Sequence, residues 1–458
     1  MIINPKIFKD YDIRAVVPTE LDTEGMYQLG LAMAIYFKPK AVAIGRDMRV
    51  SSPDFYAQLS RAFTEMGINV IYLGEVTTDM SYFAAATLDV DLALMITASH
   101  NEKEYNGLKV TIRGAIPVSG ETGLYAIRDL LQKPLSLVKG TESGVITEMN
   151  IWEAWVKHSL SLVKANEIKP LKVVVDAGNG MGGVITSAIA KHIPLQVTPL
   201  FFEPDGTFPH HLPNPLLPAN IVDLKNKVKE IKADFGIAWD GDADRVYLID
   251  EEGTFVDGTA FGAMLADYML ASHPGDTVIY NAIIGRVVPE IIQKYGGVPV
   301  RWRVGHALLK AKMREVNGLL AVEHSGHFFF RDNFYCDSGI ISLLTVLVIL
   351  SNANMPVSQF LEQYRKYTPS GEINFAVGDK DAVMKALAAA HEGTAESIDW
   401  LDGVTVWYPD WWFNVRPSNT QPLLRLNIEV NNSNIKMSDK ESELVDFITQ
   451  HGGNRVEA

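Results

Sequence analysis

The sequence predicts an α/β protein of three similar mixed-sheet α/β domains and a C-terminal α+β domain around a central cleft. Three observations carry that expectation. Short apolar segments alternate with stretches of helical length through the first three-quarters of the chain, the signature of βαβ units. One plan of strand, helix, strand and strand recurs three times. In each copy the last strand runs directly into polar residues: Thr97-Ala-Ser-His-Asn101, Asp240-Gly-Asp-Ala-Asp-Arg245 and Glu323-His-Ser-Gly-His327. Ligands of α/β sheets gather at the carboxyl ends of strands, so the three edges are expected to meet at one cleft.

The elements follow in order. The first region offers strand 41–45, helix 54–66, strand 69–73 and strand 92–96. The second offers strand 172–175, a helix from about 183, strand 195–201 and strand 235–239, with 246–249 as a further strand. The third offers strand 277–280, helix 287–295, strand 299–302 and strand 319–322. The apolar run 340–350 is too short to span a bilayer. With Asp337 and Ser338 ahead of it as candidate caps, it reads as a buried helix. The last region breaks the plan. Segments 372–377, 403–408, 412–415 and 423–430 read as strands and 381–390 and 438–449 as helices, a small domain with an antiparallel sheet. The expected domains are 1–148 with the serine loop, 149–253 with the acidic loop, 254–367 with the Glu323 loop and 368–458 with an arginine loop.

Bulk properties narrow the class. A chain of 458 residues suggests about three or four domains. The net charge of −14 argues against nucleic acid as a partner, and an anionic substrate needs a local basic cleft. The single cysteine, Cys336, excludes an intrachain disulfide and fits a reducing compartment. No signal-peptide core is legible at the N-terminus. The expectation is a cytoplasmic protein, monomer or homodimer, with no membrane partner.

The chemistry sits in two loops. Asp240, Asp242 and Asp244 alternate and are followed by Arg245. Clustered carboxylates suit Mg²⁺, which takes oxygen ligands. An EF-hand shares that spacing, with Glu251 at its twelfth position. However, Arg245 stands where such a loop needs glycine, and the flanks read as strands rather than helices. Three such charges without a metal repel one another by several kcal/mol even at moderate dielectric. Ser99 closes an apolar strand beside His100. A serine is a weak nucleophile towards phosphorus, and a metal that clamps phosphate and absorbs its charge makes phosphoryl transfer through serine feasible. In the last region Arg416-Pro-Ser-Asn-Thr-Gln-Pro422, with Arg425 beyond, offers donors for several phosphate oxygens.

One motif points elsewhere. Gly178-Asn-Gly-Met-Gly-Gly183 follows a strand, opens a helix and has Glu203 about twenty residues on, nearly the whole dinucleotide fingerprint. An NAD-dependent dehydrogenase is therefore the alternative from another class. It leaves the aspartate, serine and arginine loops unexplained, and Glu203 runs into the turn Pro204-Asp-Gly206. The glycines are expected to serve a tight turn and close helix packing instead. A catalytically silent sugar-phosphate sensor is a third reading, which keeps the cleft without turnover.

Taken in order, the motifs resemble the α-D-phosphohexomutase family over all four domains. They are Tyr11-Asp-Ile-Arg14, Gly45-Arg-Asp47, Thr97-Ala-Ser-His-Asn101, Tyr105-Asn-Gly107 with Lys109, Asp240 to Arg245, Gly305-His306, Glu323 with Ser325-Gly-His327, and Arg416 with Ser418-Asn-Thr420. The resemblance implies an active phosphoserine at Ser99 and Mg²⁺ held by that phosphate with Asp240, Asp242 and Asp244. It implies sugar hydroxyl recognition by Glu323 and Ser325. Capture of the non-reacting phosphate falls to Tyr11, Arg416, Ser418, Asn419 and Thr420, while Arg14, Lys109, Arg245, His306 and His327 line the reaction centre. The implied reaction interconverts hexose 6-phosphate and hexose 1-phosphate, of mannose and also glucose, through a 1,6-bisphosphate that also serves as activator. The general acid/base stays open among His100, Lys109, His306 and His327.

Departures from the family pattern bear on sugar choice. Ala15, Glu102, Val304, Val322, His324 and Gln421 replace common residues, and Ile283 stands where relatives often carry a basic one. Phosphoglucosamine mutase is the alternative within the family; its sugar loop typically has Gln where this chain has His324.

Overall fold

The computed structural model describes residues 3–135, 142–418, 423–431 and 435–456. The repeated plan folds into three sheets that share one four-strand arrangement. In the first, the strands run in the order Tyr105–Ile112, Leu92–Ile96, Ala41–Arg46, Asn69–Glu75. The matching orders are Val246–Asp250, Phe235–Trp239, Leu171–Asp176, Leu195–Leu200, and then Phe328–Phe330, Leu320–Val322, Thr277–Asn281, Val298–Trp302. The last three strands of each set are parallel, and the outer one returns antiparallel. Each polar loop is therefore the turn between an inner strand and its antiparallel partner. Strands Leu92–Ile96, Phe235–Trp239 and Leu320–Val322 are buried at every residue, which is why they read as unbroken apolar runs.

The dinucleotide-like glycines are a packing device. A Cβ on Gly180 lies 2.6 Å from the Gly241 carbonyl oxygen, one on Gly182 lies 2.4 Å from the Trp239 ring, and one on Gly183 lies 2.5 Å from the Phe202 carbonyl oxygen. The backbone that a pyrophosphate would approach is filled by the neighbouring loop and strand.

Helix Gly339–Ala353 is buried along nearly its whole length. Ser338 caps it, accepting from the Ile341 N–H at 3.2 Å. Asp337 does not share the cap. It ends a short strand, and its carboxylate turns inward to Lys310 Nζ at 2.6 Å, with both side chains fully buried. Among the described residues no single helix is long and apolar enough to cross a membrane. This helix and Val357–Tyr364 pass such a test together only as a pair bent by 103°.

One core cluster joins residues of the first three regions, from Ala43 through Phe235 and Val322 to Leu361. The C-terminal domain has a core of its own under a six-stranded antiparallel sheet, with helices Lys380–His391 and Met437–Gln450. Strand Trp411–Pro417 runs further than the pattern 412–415 suggests and includes Arg416.

Candidate active site

The serine and acidic loops interlock. Ser99 is 1% exposed and has a positive φ of 52°, a conformation that costs an L-residue roughly 1–2 kcal/mol. Its N–H donates to Thr97 Oγ1 at 2.9 Å. Its hydroxyl donates to Asp240 Oδ2 at 2.8 Å and accepts from Arg245 Nη2 at 3.1 Å. Gly241 is required here: a Cβ would lie 2.3 Å from the Ser99 carbonyl oxygen.

Asp240, Asp242 and Asp244 are fully or almost fully buried, and each offers an oxygen within 4.8 Å of the others. Lys109 Nζ donates to Asp242 Oδ2 and Asp244 Oδ2, both at 2.7 Å, and Arg245 Nε to Asp240 Oδ2 at 2.9 Å. Thr78 also donates to Asp242. Two oxygens, Asp242 Oδ1 and Asp244 Oδ1, are buried without a hydrogen-bond partner among the described residues. Three carboxylates against two cations, with unsatisfied oxygens converging, fit a hard divalent cation. Burial, with the charges of Asp244 and Asp242 and against Arg245, pushes the Asp240 carboxyl up to about 7. For Asp242 burial acts upward too, but Lys109 and Thr78 bring it well below the usual carboxylate range. Lys109, despite burial, is held above an ordinary lysine by the same pair of aspartates.

The Glu323 loop closes over this centre. The Ser325 carbonyl accepts from Arg245 Nη1 at 3.4 Å and from the Tyr247 hydroxyl. Glu323 is 4% exposed with Oε2 unpartnered among the described residues, and burial raises its carboxyl. His327 Nδ1 lies 2.7 Å from Asp337 Oδ2 and 3.8 Å from Asp244 Oδ1. Burial lowers its basicity, but these two carboxylates outweigh it and raise the imidazole. His306 is lowered by burial and by Lys310, and His100 by burial, Arg245 and Arg14. His100 Nδ1 lies 3.2 Å from Ser99 Oγ and also contacts Arg245 Nη2. Arg14 pairs with Asp12 at 2.8 Å and donates to Asn101 in the serine loop. The Tyr11 hydroxyl reaches the Val304 carbonyl at 3.2 Å, and its ring meets His306 edge-on with centroids 5.5 Å apart.

In the C-terminal domain Arg416 and Arg425 are cross-strand partners, which sets their guanidinium groups side by side. Glu372 binds both, Arg416 Nη2 at 3.3 Å and Arg425 Nε at 3.2 Å. The sequence placed Arg416 in a loop. It instead sits in a strand, because the hairpin ladder continues to Pro417. Ser418 donates its N–H to the Leu423 carbonyl at 2.9 Å. Asn419, Thr420 and Gln421 lie outside the described residues.

The structure thus brings Ser99, His100, Arg14, Lys109, the aspartates, Arg245, Ser325 and His327 together. Glu102 is exposed. Ile283 is buried and shares a small cavity with His324. Sequence reasoning missed Thr78, Asp337 and Arg49, whose side chains anchor Asp242, His327 and the serine loop. Only Asp337, as a carboxylate entering an apolar helix, carried a legible signal.

Comparison with known proteins adds a second line. Models of the family described as phosphoglucomutase/phosphomannomutase match four consecutive pieces: α/β/α domain I at 5–135, domain II at 153–253, domain III at 257–367 and the C-terminal domain at 372–444. A protein of Xanthomonas campestris pv. campestris named for phosphohexose mutases is 37% identical over 442 residues, 96% of this chain and 98% of its own. A phosphomannomutase of Vibrio cholerae serotype O1 is 37% identical over 453 residues, 96% of this chain and 98% of its own. The crystal structure of a phosphoglucomutase/phosphomannomutase family protein from Burkholderia thailandensis superposes with a TM-score of 0.87 at 31% identity, covering 99% of both chains.

Proposed function

The chain belongs to the phosphoglucomutase/phosphomannomutase family, and from that premise we propose that it interconverts hexose 6-phosphates and hexose 1-phosphates, of mannose and of glucose, through a phosphoserine and a hexose 1,6-bisphosphate. The observation that carries this reading is the Ser99 hydroxyl, 2.8 Å from Asp240 at the edge of the three-carboxylate cage. Asp240, Asp242, Asp244 and the phosphate on Ser99 would hold Mg²⁺, which when bound neutralises charge on the phosphoryl group in flight.

The residues divide the work. The bond from phosphorus to Ser99 Oγ breaks as a bond to the free sugar hydroxyl forms, giving the bisphosphate, and the proton that the hydroxyl loses is matched by one gained at Ser99 Oγ. Arg245 and Arg14 stabilise the charge on the moving group. The hydroxyl proton goes to His327: Asp337 Oδ2 lies 2.7 Å from Nδ1 and favours the charged ring, and Nε2 is left for the substrate. Lys109 and the rings of His100 and His306 complete the wall. The bisphosphate then turns end for end and its other phosphate returns to Ser99. Glu323 and Ser325 hold sugar hydroxyls in both orientations. Tyr11, Arg416, Arg425, Ser418, Asn419 and Thr420 hold whichever phosphate is not reacting. Each of the four domains, taken as 1–148, 149–253, 254–367 and 368–458, contributes one loop to the cleft, and enclosure protects the phosphoserine from water.

The test is a coupled assay on glucose, mannose and glucosamine monophosphates with catalytic glucose 1,6-bisphosphate. Turnover of the mannose and glucose pairs is expected. A preference for glucosamine reassigns the sugar, and no turnover of any of them overturns the reading in favour of a sensor.

A further inference from the structure

Arg49 is 1% exposed, and its guanidinium is spent on one loop. Nη2 donates to the Ser99 carbonyl at 2.9 Å and the Asn101 carbonyl at 2.7 Å. Nη1 donates to the carbonyls of Glu102 and Tyr105, both at 2.7 Å. Behind it Asp47 Oδ2 lies 3.3 Å from Nε, while Asp47 Oδ1 accepts from the Arg49 N–H at 3.0 Å and from Ser52 Oγ at 2.8 Å. The second domain seals the far side. The Phe208 ring centroid is 5.2 Å from Arg49 Cζ, and a Cβ on Gly206 would come within 2.6 Å of Arg49 Cα.

A buried guanidinium ordinarily faces carboxylates or a ligand. This one satisfies four main-chain carbonyls that run from the proposed nucleophile to the start of the returning strand. The peptide after Ser99 is thereby fixed, and with it the positive φ that turns Oγ towards Asp240. We propose that Arg49 is the positioning residue of the phosphoryl-transfer step: its planar fork locks the serine loop so that Ser99 Oγ keeps its aim at the carboxylate cage as phosphate is loaded and unloaded. The inference rests on the phosphoserine reading above. A lysine cannot substitute, because three donors on one nitrogen do not span four carbonyls lying along a fork. Arg49 touches neither sugar nor phosphate in this account, so its loss falls on the chemical step and not on binding.

The experiment is Arg49→Lys, with kcat and KM for both hexose monophosphates and hydrogen exchange across residues 97–105. A misplaced nucleophile predicts kcat lower by about a hundredfold. KM stays within about threefold, since uniform binding is untouched. Exchange across the loop rises. A folded Arg49→Lys with kcat near wild type overturns the proposal, as does a KM that rises in step with the loss of kcat. Where Arg49→Lys does not fold, Asp47→Asn loosens the guanidinium from behind and is expected to lower kcat by a smaller factor; wild-type kcat there overturns the proposal equally. A wild-type protein without mutase turnover removes the functional reading instead, while unchanged exchange across 97–105 in Arg49→Lys rejects the clamp independently.

Discussion

The two ends of the proposed cleft are built on different principles. At the serine end, cations and carboxylates are buried and hydrogen-bonded to one another across domains: Lys109 of the first sheet binds Asp242 and Asp244 of the second at 2.7 Å, and both aspartates are fully screened from solvent. At the arginine end, Arg416 and Arg425 share one partner, Glu372, whose side chain is 27% exposed. The first three regions share a continuous core, whereas the C-terminal domain has its own. The difference matches the tasks proposed for them. Phosphoryl transfer needs groups fixed before the substrate arrives. Capture of a phosphate that arrives in two orientations needs cations that can exchange a resident carboxylate for the ligand.

The comparison is broken most severely at its centre. Ser99→Ala is expected to remove nearly all turnover while leaving the fold intact, since the residue contributes one small side chain. Activity near wild type in the purified variant sinks the nucleophile role. Next in size is Arg416→Ala. On the proposed role it removes charged hydrogen bonds to phosphate, and binding of the 1-phosphate and the 6-phosphate should weaken together by about 1.5–3 kcal/mol. Calorimetric titration with both monophosphates checks this, and a loss confined to one of them contradicts a shared phosphate site.

Gly180→Ala sharpens the account of the glycine motif. Its Cβ would press on Gly241 at 2.6–3.0 Å, so the acidic loop must shift. The expected cost is about 1–3 kcal/mol of stability, with weakened Mg²⁺ affinity. Unaltered Mg²⁺ binding alongside altered nucleotide binding would restore the dinucleotide reading. The smallest effect belongs to Glu372→Gln. Neutralising a partly exposed partner removes a competitor worth roughly 0.2–1 kcal/mol, so KM for both substrates should fall by a small factor. A raised KM would mean that Glu372 orients the arginines rather than competing for them.

Much of this was legible in the sequence. The inner strands announced themselves because burial on both faces leaves unbroken apolar runs such as 92–96 and 235–239. The acidic loop was legible as a candidate metal site because three alternating carboxylates repel without a cation, and the structure sets Ser99 beside it. The edge strand Ile13–Val16 and the inner strand Phe328–Phe330 were not read as strands, being short and defined by their partners. Arg416 was misplaced in a loop because its strand extends through cross-strand pairing with Arg425, which no local pattern encodes. Arg49 and Asp337 escaped for a related reason. Their partners lie about fifty and ten or more residues away in sequence, and locally an arginine past a strand reads as a solvated group and an aspartate ahead of an apolar helix as a cap. Sugar preference was not legible either. His324 and Ile283, two of the departures that bear on it, line one small cavity.

The central claim is that Ser99 carries the phosphate that is exchanged. Its most direct test loads wild-type protein with labelled phosphate from glucose 1,6-bisphosphate in Mg²⁺, locates the label by tandem mass spectrometry, and follows its release to mannose 6-phosphate on the millisecond-to-second scale. The account predicts one phosphate, on Ser99, passing to the sugar at a rate no slower than kcat. Label on another residue, or transfer from Ser99 slower than turnover, would contradict it.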